Sequence, residues 1–313
     1  MKEHSKHRFT NLPEGGENPL SYAIAQRDRS TISMVQDAIA HKQTLMAYQP
    51  VLRDLPGHKT AFHEGLIRVL DPTGRVIPAR EFMNVVENTQ LGREIDVVSL
   101  RAGLMALNDN PDLRLSINMS ARSIGFKAWT TMLNRWLGRD ATIGERLILE
   151  ISEQSTMLMP ELVSSFMEQL QNKGVCFALD NFGSGYTAIR YFKDLYFDIL
   201  KIDGQFTRGI AKDPDNRALV CVMVSIANNF DMVTVAEQVE NDEDSAVLTS
   251  LGIDCQQGFL FDDPAVLDTQ FRKGQIRVDA RRDCRVCINA ICPVPRGPGD
   301  RGFFAIKTPW SEN

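Results

Sequence analysis

Seven polar residues follow short, mostly apolar runs, and their types point to one kind of chemistry. They are Glu64 after TAFH, Asn118 after RLSI, Glu150 after RLIL, Asp180 after FAL, Lys201 after DIL, Glu237 after TVA and Gln257 after DCQ. Glu64, Asn118, Glu150 and Asp180 offer oxygen donors, which suit a hard divalent cation, Mg²⁺ or Mn²⁺, rather than zinc. All five histidines lie at or before His63, which counts against a His-ligated metal and against a Ser-His-Asp triad in the body of the chain. Acids gathered at one place repel one another unless cations neutralise them. A pair of metals about 3.5–4 Å apart is a common arrangement for phosphoester hydrolysis. Lys201 would then hold the attacking water or a phosphate oxygen, and the planar fork of Arg68 suits a phosphate. Each residue alone has an ordinary explanation. Asn118 or Gln257 could bond a loop, Lys201 could pair with Asp203 at the surface, and Glu150 could cap a helix. Recurrence at consecutive strand ends favours a shared site.

The elements that must position these residues follow from periodicity. Strands are expected at Leu45–Leu52, Thr60–Leu70, Leu113–Asn118, Arg146–Ile151, Val175–Leu179, Phe197–Ile202, Met232–Ala236 and Ile253–Gln257. Helices are expected at 31–43, 78–88, 92–107, 124–137, 160–172, 186–192, 216–230 and 242–251, the first with Ser30 or Thr31 as cap. Period two places Glu64, Leu66 and Arg68 on one face of their strand and turns His63 away. Strand–helix alternation with short connections predicts a parallel sheet, and this many units in about 235 residues predicts a closed α/β barrel with its polar strand ends at one mouth. A doubly wound open sheet is the alternative, but it would bind ligand at one switch point only. The stretch from Cys176 to Ile189, CFALDNFGSGYTAI, joins a buried strand, an acid and a glycine loop, the geometry in which such proteins place catalytic groups. An Asp-capped glycine turn is its plainer reading.

Composition sets bounds. The chain has 313 residues, of which 43% are hydrophobic and 24% charged, as in ordinary globular proteins. A net charge of −5 argues against a nucleic-acid polymer as partner. No run approaches the roughly 18 apolar residues of a membrane span, and the polar N-terminus lacks a signal-peptide core, so no membrane partner and a cytoplasmic location are expected. Residues 1–30 read as a flexible arm, 31–267 as the folded domain and 268–313 as a basic, poorly ordered tail. Cys176, Cys221 and Cys255 read as reduced core residues. Cys284, Cys287 and Cys292 sit in the tail without a nearby His or a fourth ligand, and read as incidental rather than zinc-binding.

From about Thr31 to Leu267 the sequence resembles the EAL domain family of cyclic-di-GMP phosphodiesterases. The matching runs are Tyr48-Gln49-Pro50, EGLIR at Glu64–Arg68, INMS at Ile117–Ser120, LEISE at Leu149–Glu153, LDNFGSGYTAI at Leu179–Ile189, LKIDGQF at Leu200–Phe206, AEQVE at Ala236–Glu240 and QQGFLF at Gln256–Phe261. The resemblance implies a modified TIM (β/α)₈ barrel with an antiparallel first strand. It implies hydrolysis of cyclic-di-GMP to linear pGpG with two Mg²⁺ or Mn²⁺ ions. Glu64, Asn118, Glu150, Asp180 and Asn181 would bind metal, with Asp180 bridging and Asn181, a neutral amide, the poorer ligand. Lys201 and Glu237 would organise the nucleophilic water. Gln49, Leu66, Arg68 and Gln257 would contact ligand or water. Glu153 would anchor the loop that carries Gly183 and Gly185. A homodimer is common in the family, and with no sensory segment in the sequence, regulation would come from a partner protein, from dimerisation or from ligand availability.

Three departures stand out. Gly65 replaces the usual Ala of the family triplet. Gln238 stands where Gly is usual and is expected to alternate away from Glu237. Most important, active members carry two acids where this chain has Asp180-Asn181. Asn181 keeps a carbonyl oxygen but loses a charge, so the second metal should bind more weakly. The expectation is a competent but slower enzyme. The alternatives are a non-catalytic cyclic-di-GMP receptor and an interaction scaffold.

Overall fold

The computed structural model describes residues 19–54, 59–185 and 189–266. Ten strands appear in chain order: β1 (Thr44–Arg53), β2 (Thr60–Leu70), β3 (Val76–Pro78), β4 (Leu115–Asn118), β5 (Leu147–Ser152), β6 (Cys176–Phe182), β7 (Ile199–Ile202), β8 (Val233–Ala236), β9 (Cys255–Gln256) and β10 (Ala265–Val266). Eight of them close a barrel in the order β1-β2-β4-β5-β6-β7-β8-β9, with β9 returning to β1. The pairs from β2–β4 round to β8–β9 are parallel, and β1 is antiparallel to both β2 and β9. This is the modified (β/α)₈ barrel expected from the sequence. The short strands β3 and β10 lie outside the ring as antiparallel additions to β2 and β1.

Side-chain alternation explains both the core and the site. Outward residues such as Leu149, Leu179 and Leu200 pack under the helices, where Leu104, Trp129 and Phe166 meet them. Inward residues fill the barrel with an apolar layer of Val51, Phe62, Ile148, Ala178, Ile199, Val235 and Cys255. Two positions further towards the mouth stand Gln49, Glu64, Glu150, Asp180 and Lys201 on the same face of their strands, with Glu237 and Gln257 directly after the ends of β8 and β9. On β4 the equivalent pair is Ser116 and Asn118. The polar layer is therefore a direct consequence of strand parity, resting on a dry apolar floor.

Three expectations need correction. The first helix spans Pro19–Ala40, so the supposed arm is helical from Pro19 onward. Thr31 does not cap it, because the Thr31 hydroxyl donates back to Arg27 O within the helix. Val35 and Ala38 dock this helix against Ile67, Val69 and Phe82. The helix expected at 78–88 is instead a 3₁₀ turn, Ala79–Glu81, followed by Met83–Val86. The chain arrives there through the β2–β3 hairpin, whose turn is built by Asp71 Oδ1 accepting from the backbone N–H groups of Thr73 and Arg75. Of the three expected core thiols, Cys255 is buried and free, Cys221 is free but exposed, and Cys176 is disulfide-bonded. The start of the helix expected at 186–192, the tail and its three cysteines lie outside the described residues; from Ile189 to Lys193 the chain forms a 3₁₀ turn. No helix among the described residues is long and apolar enough to cross a membrane.

Candidate active site

The polar layer converges on a buried ammonium. Lys201, with no exposed surface, places Nζ 2.7 Å from Glu150 Oε2, 2.9 Å from Glu237 Oε1, 3.1 Å from Glu64 Oε2 and 3.2 Å from Asp180 Oδ1. A lysine can be buried only when its charge is compensated, and here four carboxylates from four strands do so. The suggested surface pair with Asp203 is absent. Asp203 caps the helical turn Gly204–Thr207 by accepting from Gln205 N.

Amide side chains complete the layer. Asn118 Nδ2 donates to Glu64 Oε1 at 2.8 Å, and Gln257 Nε2 donates to Glu64 Oε2 at 2.7 Å and to Gln49 Oε1 at 3.1 Å. Gln49 Nε2 in turn donates to the carbonyl of Asp262. Glu64 is thus the best-satisfied acid. Burial pushes it up, but Lys201 and the donors Gln257 and Asn118 outweigh burial and hold it below the usual glutamate range. The others go the opposite way. Burial, then the charge of Glu64, pushes Glu150 up to about 8. Burial and the neighbouring acids raise Asp180 and Glu237 despite Lys201. Burial alone would lower Lys201, but the surrounding acids hold it well above its ordinary value.

One cation facing four acids leaves an excess of negative charge. Glu150 Oε1 is buried and accepts no hydrogen bond, and Asp180 Oδ1 has Lys201 as its only approach. These orphaned oxygens, with the oxygen-only donor set, fit a hard divalent cation. Among the described residues no three His, Cys, Asp or Glu form a ready cage, because the point on which the acids converge is taken by Lys201 Nζ.

The glycine loop is set by Glu153. Ser152 caps the helix Glu153–Leu158 by accepting from Ser155 N, which fixes Glu153 at its first turn. That helix, absent from the sequence expectation, directs the Glu153 carboxylate at the loop, where Oε2 accepts from Gly183 N at 2.9 Å and Gly185 N at 3.0 Å. Gly183 has φ +94°, and a Cβ there would lie 2.5 Å from the Phe206 ring. A Cβ at Gly185 would press on the Glu153 carboxyl group at 3.3 Å.

Asn181 lies in an irregularity of β6, between the residues that pair with β7, and has φ 55°. Asn tolerates this left-handed conformation better than most residues. Its Nδ2 donates to Asp180 Oδ2 at 2.5 Å. The residue next to Asp180 therefore offers that carboxylate a hydrogen-bond donor where a second acid would offer negative charge.

Above this floor opens a cavity of about 790 Å³, lined by the expected Gln49, Glu64, Leu66, Arg68, Asn118, Asp180, Asn181, Glu237 and Gln257. Glu150 and Lys201 lie beneath it. His63 does not line it. Gln238 does, contrary to expectation. β8 has ended at Ala236, so alternation no longer applies, and Gln238 adopts φ 55°, the conformation for which glycine is suited. At Gly65 an added Cβ would meet Met46 Sδ at 3.0 Å, so the usual Ala would require Met46 to shift. Sequence reasoning missed Arg80, Arg122 and Arg208, which join Arg68 on the cavity wall. They sit in turns and loops, where no period signals direction. It also missed Asp96, buried on the helix Gln90–Asp109, which accepts from Ser123 Oγ at 2.5 Å and Ser120 N at 3.0 Å and so braces the loop after Asn118. An acid among the apolar positions of that helix is the signal that could have found it.

The EAL domain family model matches residues 32–264. The chain belongs to the EAL domain family. It is 28% identical over 265 residues to cyclic di-GMP phosphodiesterase PdeF of Escherichia coli (strain K12), a match covering 82% of this chain and 35% of PdeF. It is 28% identical over 251 residues to cyclic di-GMP phosphodiesterase PdeB of Shewanella oneidensis, covering 79% of this chain and 29% of PdeB. The chain thus spans about a third of the length of these curated relatives. Among solved structures, the PaMucR phosphodiesterase in complex with c-di-GMP matches with a TM-score of 0.66 at 28% identity, covering 75% of this EAL chain and 97% of that one. The EAL enzyme Bd1971 in its cAMP- and cyclic-di-GMP-bound form matches with a TM-score of 0.69 at 25% identity, covering 80% and 69%.

The shifted acids predict how stability depends on pH. Glu150 at about 8, Asp96 at about 7 and Asp198 at about 6 all lie above their unfolded values, chiefly through burial. Groups raised on folding contribute stability that is complete below the unfolded carboxylate range and is lost as pH rises through the folded value. In EDTA, the melting temperature of this EAL domain should therefore fall steadily from about pH 5 to about pH 8. Divalent cation should flatten that decline, since the deprotonated acids would then have a second counter-charge. Thermal denaturation across this range, with and without Mn²⁺, checks both.

Proposed function

We propose that this chain hydrolyses cyclic-di-GMP to linear pGpG in a reaction that depends on Mg²⁺ or Mn²⁺. The observation that carries the reading is the buried cluster of four carboxylates around one lysine, with orphaned acid oxygens beneath a cavity walled by arginines. Glu64, Asn118, Glu150 and Asp180 would hold two divalent cations, and Asn181, which brings no charge, would weaken their binding. Such ions supply electrophilic polarisation of the phosphodiester and acidify water.

The chain's own residues do the rest. Arg68, Arg80 and Arg122 on the cavity wall offer guanidinium groups to the two phosphates of the ligand, which the acidic floor alone would repel. Leu66 gives the bases an apolar surface, and Gln49 and Gln257 hold ligand or water by their amides. Lys201 stays charged and orients the attacking water. Glu237, held by Lys201 at 2.9 Å and raised by burial, takes its proton. The water oxygen joins phosphorus, one ribose oxygen leaves, and that oxygen recovers a proton, so the ring opens with no other reactant.

Asn181 favours a second reading, a receptor that holds the ligand without cleaving it, because its amide already donates to Asp180 Oδ2. Steady-state conversion to pGpG, followed by chromatography, separates the two. Asn181→Asp supplies a second charge and should lower the Mn²⁺ concentration for half-maximal activity by about ten-fold. In EDTA the same variant should melt earlier than the parent, because two carboxylates then face each other at the bulge. An unchanged metal requirement would refute this account of Asn181. A homodimer, a cytoplasmic location and a regulatory protein partner remain parts of the same proposal.

A further inference from the structure

A second groove lies away from the barrel mouth, between the helices Gln90–Asp109 and Lys127–Leu137 on the outside of the barrel. The helix Lys127–Leu137 has two apolar stripes. Trp129, Leu133 and Leu137 form the first and are buried in the core. Met132 and Trp136 form the second, half-buried, packed against the core on one side and lining the groove on the other. Met105, half exposed, extends this stripe from the neighbouring helix. Around it stand Arg101, Lys127, Arg135 and Arg139, and no acidic residue lines the groove, whose volume is about 740 Å³. None of these four cations makes an ion pair among the described residues.

We infer that this groove docks an acidic, amphipathic helix of a partner protein. Charge selects the occupant. The whole chain carries −5, so a cluster of four unpaired cations runs against its average. Such a local reversal steers an oppositely charged partner and repels a like one. A second copy of this chain docking through the same face would set four cations against four. The chain's own tail, residues 268–313, is basic and is repelled likewise. Shape and apolarity narrow the choice further. Met105, Met132 and Trp136 form a short, adaptable apolar line across the two helices, which suits apolar side chains one turn apart on a helix laid in the groove. Acids on the flanks of that helix would meet the basic border.

A test needs only the intact chain and synthetic peptides. The probe is a fluorescent peptide of about 18 residues, long enough for helix formation, with Leu at helical spacing and Glu elsewhere. The controls are the same peptide with Lys for Glu, and a Glu/Leu peptide with scrambled spacing. By fluorescence polarisation at about 50 mM salt, the acidic amphipathic peptide should bind at least about ten-fold more tightly than either control, and should weaken as salt rises. The double variant Arg135→Glu/Arg139→Glu and, separately, Arg101→Glu on the other helix should each weaken binding by about ten-fold. Trp136→Ala should do the same through the apolar line. None of these positions lines the cavity at the barrel mouth, so pGpG formation and circular dichroism should not change. Equal binding of the scrambled peptide, or full binding by the charge-reversal variants, would overturn the inference. So would preference for anionic vesicles or duplex DNA over the acidic peptide.

Discussion

Replacing Lys201 with Met should abolish turnover, by about 10³-fold or more, and unsettle the fold at the same time. The lysine is the only cation among four inward carboxylates and has no exposed surface. Removing one partner of a buried charge cluster leaves the others uncompensated, at a cost of about 3–5 kcal/mol. The sign with pH follows from the acids. Below about pH 5 they can take up protons and the loss should shrink, while near pH 8 it should be largest. Divalent cation should restore part of the melting temperature without restoring pGpG formation, because charge can be replaced but the positioned ammonium cannot. Calorimetry with and without Mn²⁺, beside a product assay, separates these effects. A variant that melts like the parent at pH 8 in EDTA would contradict the account.

Glu153→Ala should lower turnover by about 10²-fold while leaving most of the barrel intact. The Glu153 carboxylate is buried yet lies outside the cavity, and it accepts from the N–H groups of Gly183 and Gly185. Its loss frees two donors of the loop that follows Asp180 and Asn181. Charge-assisted hydrogen bonds of this kind contribute about 1.5–3 kcal/mol. Glu153→Gln keeps an acceptor oxygen and should recover part of the rate. The distinguishing readout is the metal requirement. If Glu153 acts by placing the loop, both variants should shift the Mn²⁺ concentration for half-maximal activity. A fall in rate at unchanged metal dependence would make Glu153 a purely structural residue.

Much of this was legible in the sequence because strand parity is local. Once FDILKI is a strand, Ile199 and Lys201 share a face, and the same holds for Ile148 with Glu150 and for Phe62 with Glu64. Eight such strands leave little freedom in where their polar ends meet. What parity cannot give is distance between strands. That Lys201 reaches all four acids depends on barrel closure, not on any spacing along the chain. The arginines were missed for a related reason. Arg80 and Arg122 lie within single 3₁₀ turns and Arg208 follows a single helical turn, and none of these has a period that assigns a direction. Gln238 was misassigned because alternation was carried two residues past the end of β8. The first helix was started too late because Ser30 and Thr31 look like caps, whereas Thr31 bonds within the helix.

The most direct measurement of the central claim is a single-turnover assay with the protein in excess over cyclic-di-GMP. With Mn²⁺ present, quenched samples should show the cyclic ligand replaced by linear pGpG, and EDTA should stop the conversion. Equilibrium dialysis under the same conditions establishes that the ligand is bound. Cyclic-di-GMP that is bound but recovered intact at saturating Mn²⁺ would contradict hydrolysis and leave this EAL domain a receptor.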